Sequence, residues 1–207
     1  MKKNVIITSA ILLVIALLIG SCASGGGSGG SKGKTEEKAA PAVKWSCDFS
    51  NPASVANFAM APEEYWDFKG TAALSHDDKT LGMPLLRLDV DFTKDAGSDW
   101  SEPKMRIKFD PPIENIKTFY FDIYYNPTFS KGGQLKSKII IYNGKTALAD
   151  NMTDSIKTAE ELPNGYVKGT VRFVARGAKP VDNMLLSIVG YRTNYKGPIF
   201  IGNMRWE

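Results

Sequence analysis

Chemistry in this chain must run through a small set of side chains. His76 is the only histidine among 207 residues. It stands in the polar run LSHDDKT, so any serine–histidine–aspartate relay would have to pass through it. It reads either as a base or as an exposed turn residue. Cys47 is the one cysteine beyond Cys22, and no histidine is near it in sequence. Its alternation with Val43, Trp45 and Phe49 reads as a buried thiol on the inner face of a first strand, with a reactive thiol as the sharper alternative. A zinc centre needs about three or four His, Cys or carboxylate ligands, which this inventory does not supply convincingly. Phosphate-cradling glycine loops are absent, because the glycines cluster in turns and in one N-terminal stretch. Glycoside hydrolysis needs two carboxylates about 5–10 Å apart. Asp89 and Asp91 share a face in LDVDF and Asp122 could join them, but no glutamate-rich catalytic signature appears. The aromatics are more suggestive. Trp66 follows PEEY and Trp100 lies in KDAGSDWSEP, polar loops where a large ring exposes apolar area without packing gain, as binding surfaces do. Trp45 and Trp206 fall on strands at the chain ends and read as packing residues.

Those residues must be positioned by strands. Period-2 runs dominate: VKWSCDF, GTAALS, LLRLDVDF, PKMRIKF, KTFYFDIYY, KSKIIIYN, GYVKGTVRFV, NMLLSIVGY and PIFIGNMRW. Turn signals such as DPP, NPTFSKGG, YNGK, LPNG, KPVDN and NYKGP separate them. Many short strands at even spacing predict an all-β antiparallel sandwich, a jelly roll. Only SVANFAMAPEEYW and TDSIKTAEEL hint at helix, each short enough for a single turn. Alternation assigns faces. Leu86, Leu88, Val90 and Phe92 point one way, with Arg87, Asp89 and Asp91 opposite. Met105, Ile107 and Phe109 go inward, leaving Lys104, Arg106 and Lys108 outward. Phe119, Phe121, Ile123 and Tyr125 share one face, and Tyr120, Asp122 and Tyr124 the other. An outer face carrying Tyr, Asp and Arg has the composition that stacks on sugar rings and hydrogen-bonds their hydroxyls. Tyr120 and Tyr124 fit cross-strand packing equally well.

The N-terminus gives an address. Lys2 and Lys3 precede an apolar run from Val5 to about Ile19, the pattern of a secretory signal over residues 1–21. Ile19-Gly20-Ser21-Cys22 resembles a bacterial lipobox, which implies that Cys22 is lipidated. Ala23 after the cysteine implies, by the same resemblance, the outer membrane. Residues 22–42 are rich in Gly, Ser and charge and lack apolar period, so they read as a tether, reaching about 25 Å at roughly 5–6 Å times the square root of length. Residues 43–207 suffice for one domain with a real core. The formal charge is +4, with basic and acidic residues interspersed, which excludes the basic stripe of a nucleic-acid binder.

The ending LLSIVGYRTNYKGPIFIGNMRW resembles the closing hairpin of calcium-containing β-sandwich carbohydrate-binding modules. CDFSNPASVANFAMAPEEYWDFKGTAALSHDD resembles their opening, and LLRLDVDFTKDAGSDWSEPKMRI their next strand pair with a tryptophan in the crossing loop. The nearest likeness is to the family 27 modules of bacterial β-mannanases, with families 11 and 4 more distant. The resemblance implies β-mannan binding through tryptophans on one face and its loops, and a structural calcium near the chain ends. Carried over by position, Trp66 and Trp100 stack on sugar, and Glu102 and Arg106 are polar partners. Tyr142 stands near the place of a third family tryptophan. Asp48 and Asn203 would hold the calcium, although Gly202 stands where the family has an aspartate.

These readings combine into an expectation: a monomeric, non-catalytic, lipid-anchored module that binds β-mannan-type polysaccharide at the bacterial surface. A structural or adhesive envelope lipoprotein is the alternative from another class, and a glycoside hydrolase is a third.

Overall fold

The computed structural model describes residues 42–152, 156–175 and 179–207. The expected signal peptide, Cys22 and nearly all of the tether lie outside the described residues. A compact unit spans Ala40–Glu207. Its strands are β1 (Trp45–Cys47), β2 (Phe58–Met60), β3 (Thr71–Asp77), β4 (Leu85–Asp91), β5 (Lys104–Ile113) and β6 (Thr118–Tyr125). They continue as β7 (Gln134–Asn143), β8 (Thr146–Met152), β9 (Thr158–Glu161), β10 (Val167–Val174), β11 (Val181–Tyr191) and β12 (Lys196–Trp206).

They form two antiparallel sheets, one of seven strands in the order β3-β4-β12-β6-β10-β9 with β1 added to β12, the other of five in the order β2-β5-β11-β7-β8. The expected β-sandwich is therefore the fold. One apolar core lies between the sheets and draws Leu86, Leu88, Phe119, Phe121 and Ile123 from one, and Met105, Ile107, Ile139, Met184 and Leu186 from the other. The period-2 faces of β4, β5 and β6 are those expected from alternation. The inward parity of the first strand is mixed. Trp45 and Cys47 pack partly buried against the core and Phe49 is buried, but Val43 is 56% exposed because it precedes the first paired residue.

The helical hints resolve differently. The first breaks into short 3-10 segments, two turns at Pro52–Asn57 and one at Pro62–Glu64, on either side of β2. The second carries β9, which pairs with β10 through Glu161↔Val167 and Glu160↔Lys168. The apolar ending has a simple cause. β12 is central, pairing with β4 over Lys196–Ile201, with β6 over Ile199–Trp206 and with β1 through Trp206↔Trp45. Trp206 is fully buried, its ring 5.0 Å from Phe119. A terminal strand flanked on both sides is tied down against fraying.

Candidate functional site

The outer face of the five-stranded sheet gathers most of the expected binding residues. Directly opposed residues of an antiparallel pair present their side chains on one face, so the register places side chains in rows. Lys138, Ser187 and Lys104 form one row, and Ile140, Leu185 and Arg106 the next. Beyond these, Tyr142 and Asn183 lie at one end and Tyr191 and Gln134 at the other. From Asn183 to Tyr191 is eight residue steps along β11, about 26 Å at roughly 3.3 Å per step.

Two aromatic residues are brought to this face by local architecture. Trp66 pairs with Glu102 through reciprocal backbone bonds of 3.1 and 2.8 Å. Its neighbour Tyr65 packs on Phe68, which packs on buried Phe92. The segment is thus pinned to the core while the Trp66 ring stays 63% exposed. Trp100 lies two residues before Glu102, in a loop held by the Ser98 hydroxyl, which bonds both the backbone of Trp100 and the carboxylate of Asp67 at 3.0 Å. The Trp100 indole N–H donates to Glu102 Oε2 at 3.1 Å.

Glu102 organises this end of the face. The residue is 2% exposed. Its Oε1 accepts from the Ser187 hydroxyl at 2.9 Å and lies 3.8 Å from the ammoniums of Lys104 and Lys138. A buried carboxylate is tolerated because it is paired and hydrogen-bonded. Lys104 also donates to the Glu64 carbonyl at 2.6 Å, and Lys138 pairs with Asp150 at 3.5 Å. Arg106 donates to Asn183 and Glu64 at 2.8 and 2.9 Å, its guanidinium 6.0 Å from the Tyr142 ring centroid. Burial raises the Tyr142 phenol above its ordinary pKa, so it remains a neutral hydroxyl donor. The arrangement offers exposed indole next to fixed donors and acceptors, suited to a ring with apolar faces and polar rims.

Trp66, Trp100, Glu102, Arg106 and Tyr142 therefore share one side of the sandwich. Tyr120, Asp122 and Tyr124 do not. They lie on β6, in the seven-stranded sheet, whose outer face is the opposite side. The shared surface expected for them is corrected by the sheet assignment. Tyr124 is 5% exposed, packed with Leu85, Tyr166 and Phe200 in a satellite apolar cluster. Asp122 accepts from Thr170 at 2.6 Å and lies 3.5 Å from the Lys168 ammonium. Tyr120 is flanked by Arg205 and Arg172 at 4.4 and 5.9 Å from its ring centroid. Sequence reasoning missed Tyr191, Lys136, Lys138, Ser187, Asn183 and Glu64 as members of the face. The alternation in NMLLSIVGY and KSKIIIYN contains the signal for the strand residues, but which sheet they join is set by long-range pairing.

Asp48 and Asn203, expected as calcium ligands, are each bonded to protein partners. β1 and β12 run side by side as the resemblance implies, yet Asp48 Oδ1 is taken by the Ser50 amide and hydroxyl at 2.9 and 2.8 Å. The Asn203 side-chain N–H donates to Asp122 Oδ2 at 3.3 Å. A Cβ at Gly202 would come within 2.6 Å of Leu85, so an aspartate there requires Leu85 to move. The carbonyl of Phe49 lies 3.0 Å from His76 Nε2. This also places His76 on β3, in a structural contact rather than in a turn. Among the described residues no three His, Cys, Asp or Glu side chains converge, whereas calcium takes about 6–8 oxygens.

The sequence matches the profile of carbohydrate binding module 27 over residues 38–206. The chain belongs to the carbohydrate-binding module 27 family. No curated protein matches it. Among solved structures it is similar to the module TmCBM27, studied for specific mannan recognition, with 22% identity, TM-score 0.62, and 80% of this chain and 96% of that one covered. The family 27 module CBM27-1 of Caldicellulosiruptor saccharolyticus, solved with mannohexaose, is also similar, at 22% identity and TM-score 0.57, covering 81% of this chain and 96% of that one. A family 28 module specific for non-crystalline cellulose aligns at 16% identity and TM-score 0.58, over 77% of this chain and 92% of its own. These likenesses carry the fold, and the family supplies carbohydrate binding.

Proposed function

We propose that this module binds β-mannan-type polysaccharide, without catalysis, along the outer face of its five-stranded sheet. The observation that carries the reading is Trp66, an indole 63% exposed on a segment anchored to the core, beside Trp100 and the Glu102 network. Exposed aromatic area held rigid has no packing value and is a mark of a binding surface. The mannan and mannohexaose named for the two family 27 structures support the choice of glycan. Asp89 and Asp91, the carboxylates that share a face in LDVDF, are engaged otherwise. Asp89 is bonded by Arg87 at 2.8–3.0 Å. Lys196 and Thr93 hold the Asp91 carboxyl down to about 2, which keeps it ionised where a general acid must be protonated. Retention on insoluble mannan, compared with cellulose and xylan, tests the reading. Binding to none of the three would refute it.

The same proposal takes Cys22 as a lipid anchor that holds the module at the bacterial envelope, on the outer membrane or cell surface. The lipobox-like Ile19-Gly20-Ser21-Cys22 supports it. Incorporation of labelled fatty acid, lost in Cys22→Ala, is the expected result, and an unlabelled wild type would overturn it.

A further inference from the structure

Trp66 and Trp100 stand on separate segments, and one short side chain joins the two. Asp67, directly after Trp66, has a φ of 45°, the left-handed region that aspartate tolerates better than most residues. The turn sends neighbouring rings opposite ways. Trp66 stays 63% exposed, whereas Phe68 packs 5.4 Å from the ring of buried Phe92. The Asp67 carboxylate reaches the other segment, where its Oδ2 accepts from the Ser98 hydroxyl at 3.0 Å. The Ser98 proton has a second acceptor in the Trp100 carbonyl at 2.8 Å, but an ionised carboxylate is the stronger partner. The Ser98 oxygen in turn accepts the Trp100 amide N–H at 3.3 Å. The backbone of Ser98 is itself fixed. Its amide donates to the Asp95 carbonyl at 2.8 Å, and its carbonyl accepts from the Arg192 amide at 2.9 Å. Asp95, 3% exposed, adds a second tie between the segments by accepting the Lys69 amide on Oδ1 at 3.1 Å. The Lys69 ammonium lies 3.3 Å from Asp67 Oδ1, but both side chains are exposed and belong to one segment, so this pair contributes little.

Resting on the proposed glycan-binding face, we propose that Ser98 is a positioning residue for it, acting through Asp67 to hold the Trp66 indole where a sugar ring stacks. Reciprocal backbone bonds to Glu102 hold Trp66 itself, and the Ser98 hydroxyl holds the left-handed turn that follows. A ring already held in its binding position loses less freedom when the sugar docks, so preorganisation is read as affinity. With the hydroxyl removed, Asp67 is free to relax towards negative φ, and the indole must be ordered again at each binding event.

The test is titration calorimetry with mannohexaose of the purified wild type, Ser98→Ala, Ser98→Thr, Trp66→Ala and the double variant Ser98→Ala/Trp66→Ala. Ser98→Ala should weaken binding about fivefold, the weight of one hydrogen bond. Ser98→Thr keeps the hydroxyl and should bind within about twofold of the wild type. On the Trp66→Ala background the serine change should cost less than about twofold, because the ring it positions is gone. An equal loss on both backgrounds overturns the inference, since a serine that merely stabilises the fold does not depend on Trp66. Binding by Ser98→Thr as weak as by Ser98→Ala also overturns it. Wild-type affinity in Ser98→Ala does so too and leaves the mannan reading standing. A wild type that does not bind mannohexaose removes both.

Discussion

Replacing Glu102 by alanine takes away the acceptor shared by the Trp100 indole N–H and the Ser187 hydroxyl, and the anion between Lys104 and Lys138. Breaking a buried ion pair from one side costs about 3–5 kcal/mol, because the charge left behind is uncompensated. Here Lys104 keeps the Glu64 carbonyl and Lys138 keeps Asp150, which places the expectation at the low end, about 3 kcal/mol. For a domain of this size each kcal/mol corresponds to about 2–4 °C in Tm, so the loss is about 6–12 °C. Glu102→Gln preserves shape and one acceptor and should cost less than half as much. Urea unfolding of the three proteins measures this directly, with an unchanged slope showing that stability fell without a change in the surface exposed on unfolding. An alanine variant within about 0.5 kcal/mol of wild type, the range of ordinary surface substitutions, would refute the idea that this carboxylate anchors the face.

Other expectations follow from burial and charge. Trp206→Ala should destabilise by about 3–5 kcal/mol, as truncation of a buried aromatic does. Trp45→Ala should cost less, since Trp45 is half-buried, and urea midpoints would rank them. Asp91 has its folded pKa lowered from 3.8 to about 2 by its bonds to Lys196 and Thr93. The stability it confers is therefore complete above its unfolded value and is lost as pH falls from about 4 towards 2. Asp91→Asn should remove that part of the acid profile, and identical acid profiles would contradict it. A chelator should leave the melting temperature unchanged, because Asp48 Oδ1 is already bonded by Ser50 and no three His, Cys, Asp or Glu side chains converge among the described residues. A fall of several degrees would show a metal closing the chain ends.

Most of the fold was legible because period-2 alternation is a local property. The strands β4, β5, β6 and β12 announce both their existence and their buried faces. β2, β8 and β9 are short or lie outermost in their sheets, lack clean alternation, and exist through pairing with a neighbour. The site was half legible for a related reason. Trp66 and Trp100 stand out because a large ring in a polar loop has no packing role. Tyr120, Asp122 and Tyr124 have the right composition on the wrong sheet, since alternation gives the face of a strand but not the sheet it joins. Lys136 and Tyr191 acquire meaning only from the 4.5 Å between them, a distance set by the register of β7 against β11.

The central claim is that glycan binds the outer face of the five-stranded sheet. Titration calorimetry of mannohexaose against the wild type, Trp66→Ala and Tyr120→Ala tests it most directly. Stacking on an aromatic side chain is worth about 1–3 kcal/mol, so Trp66→Ala should weaken binding about tenfold or more. Its thermal stability should be unaltered, because the ring is mostly exposed. Tyr120→Ala, on the opposite side of the sandwich, should bind as the wild type does. Unchanged affinity in Trp66→Ala together with loss in Tyr120→Ala would place the ligand on the seven-stranded sheet and contradict the account.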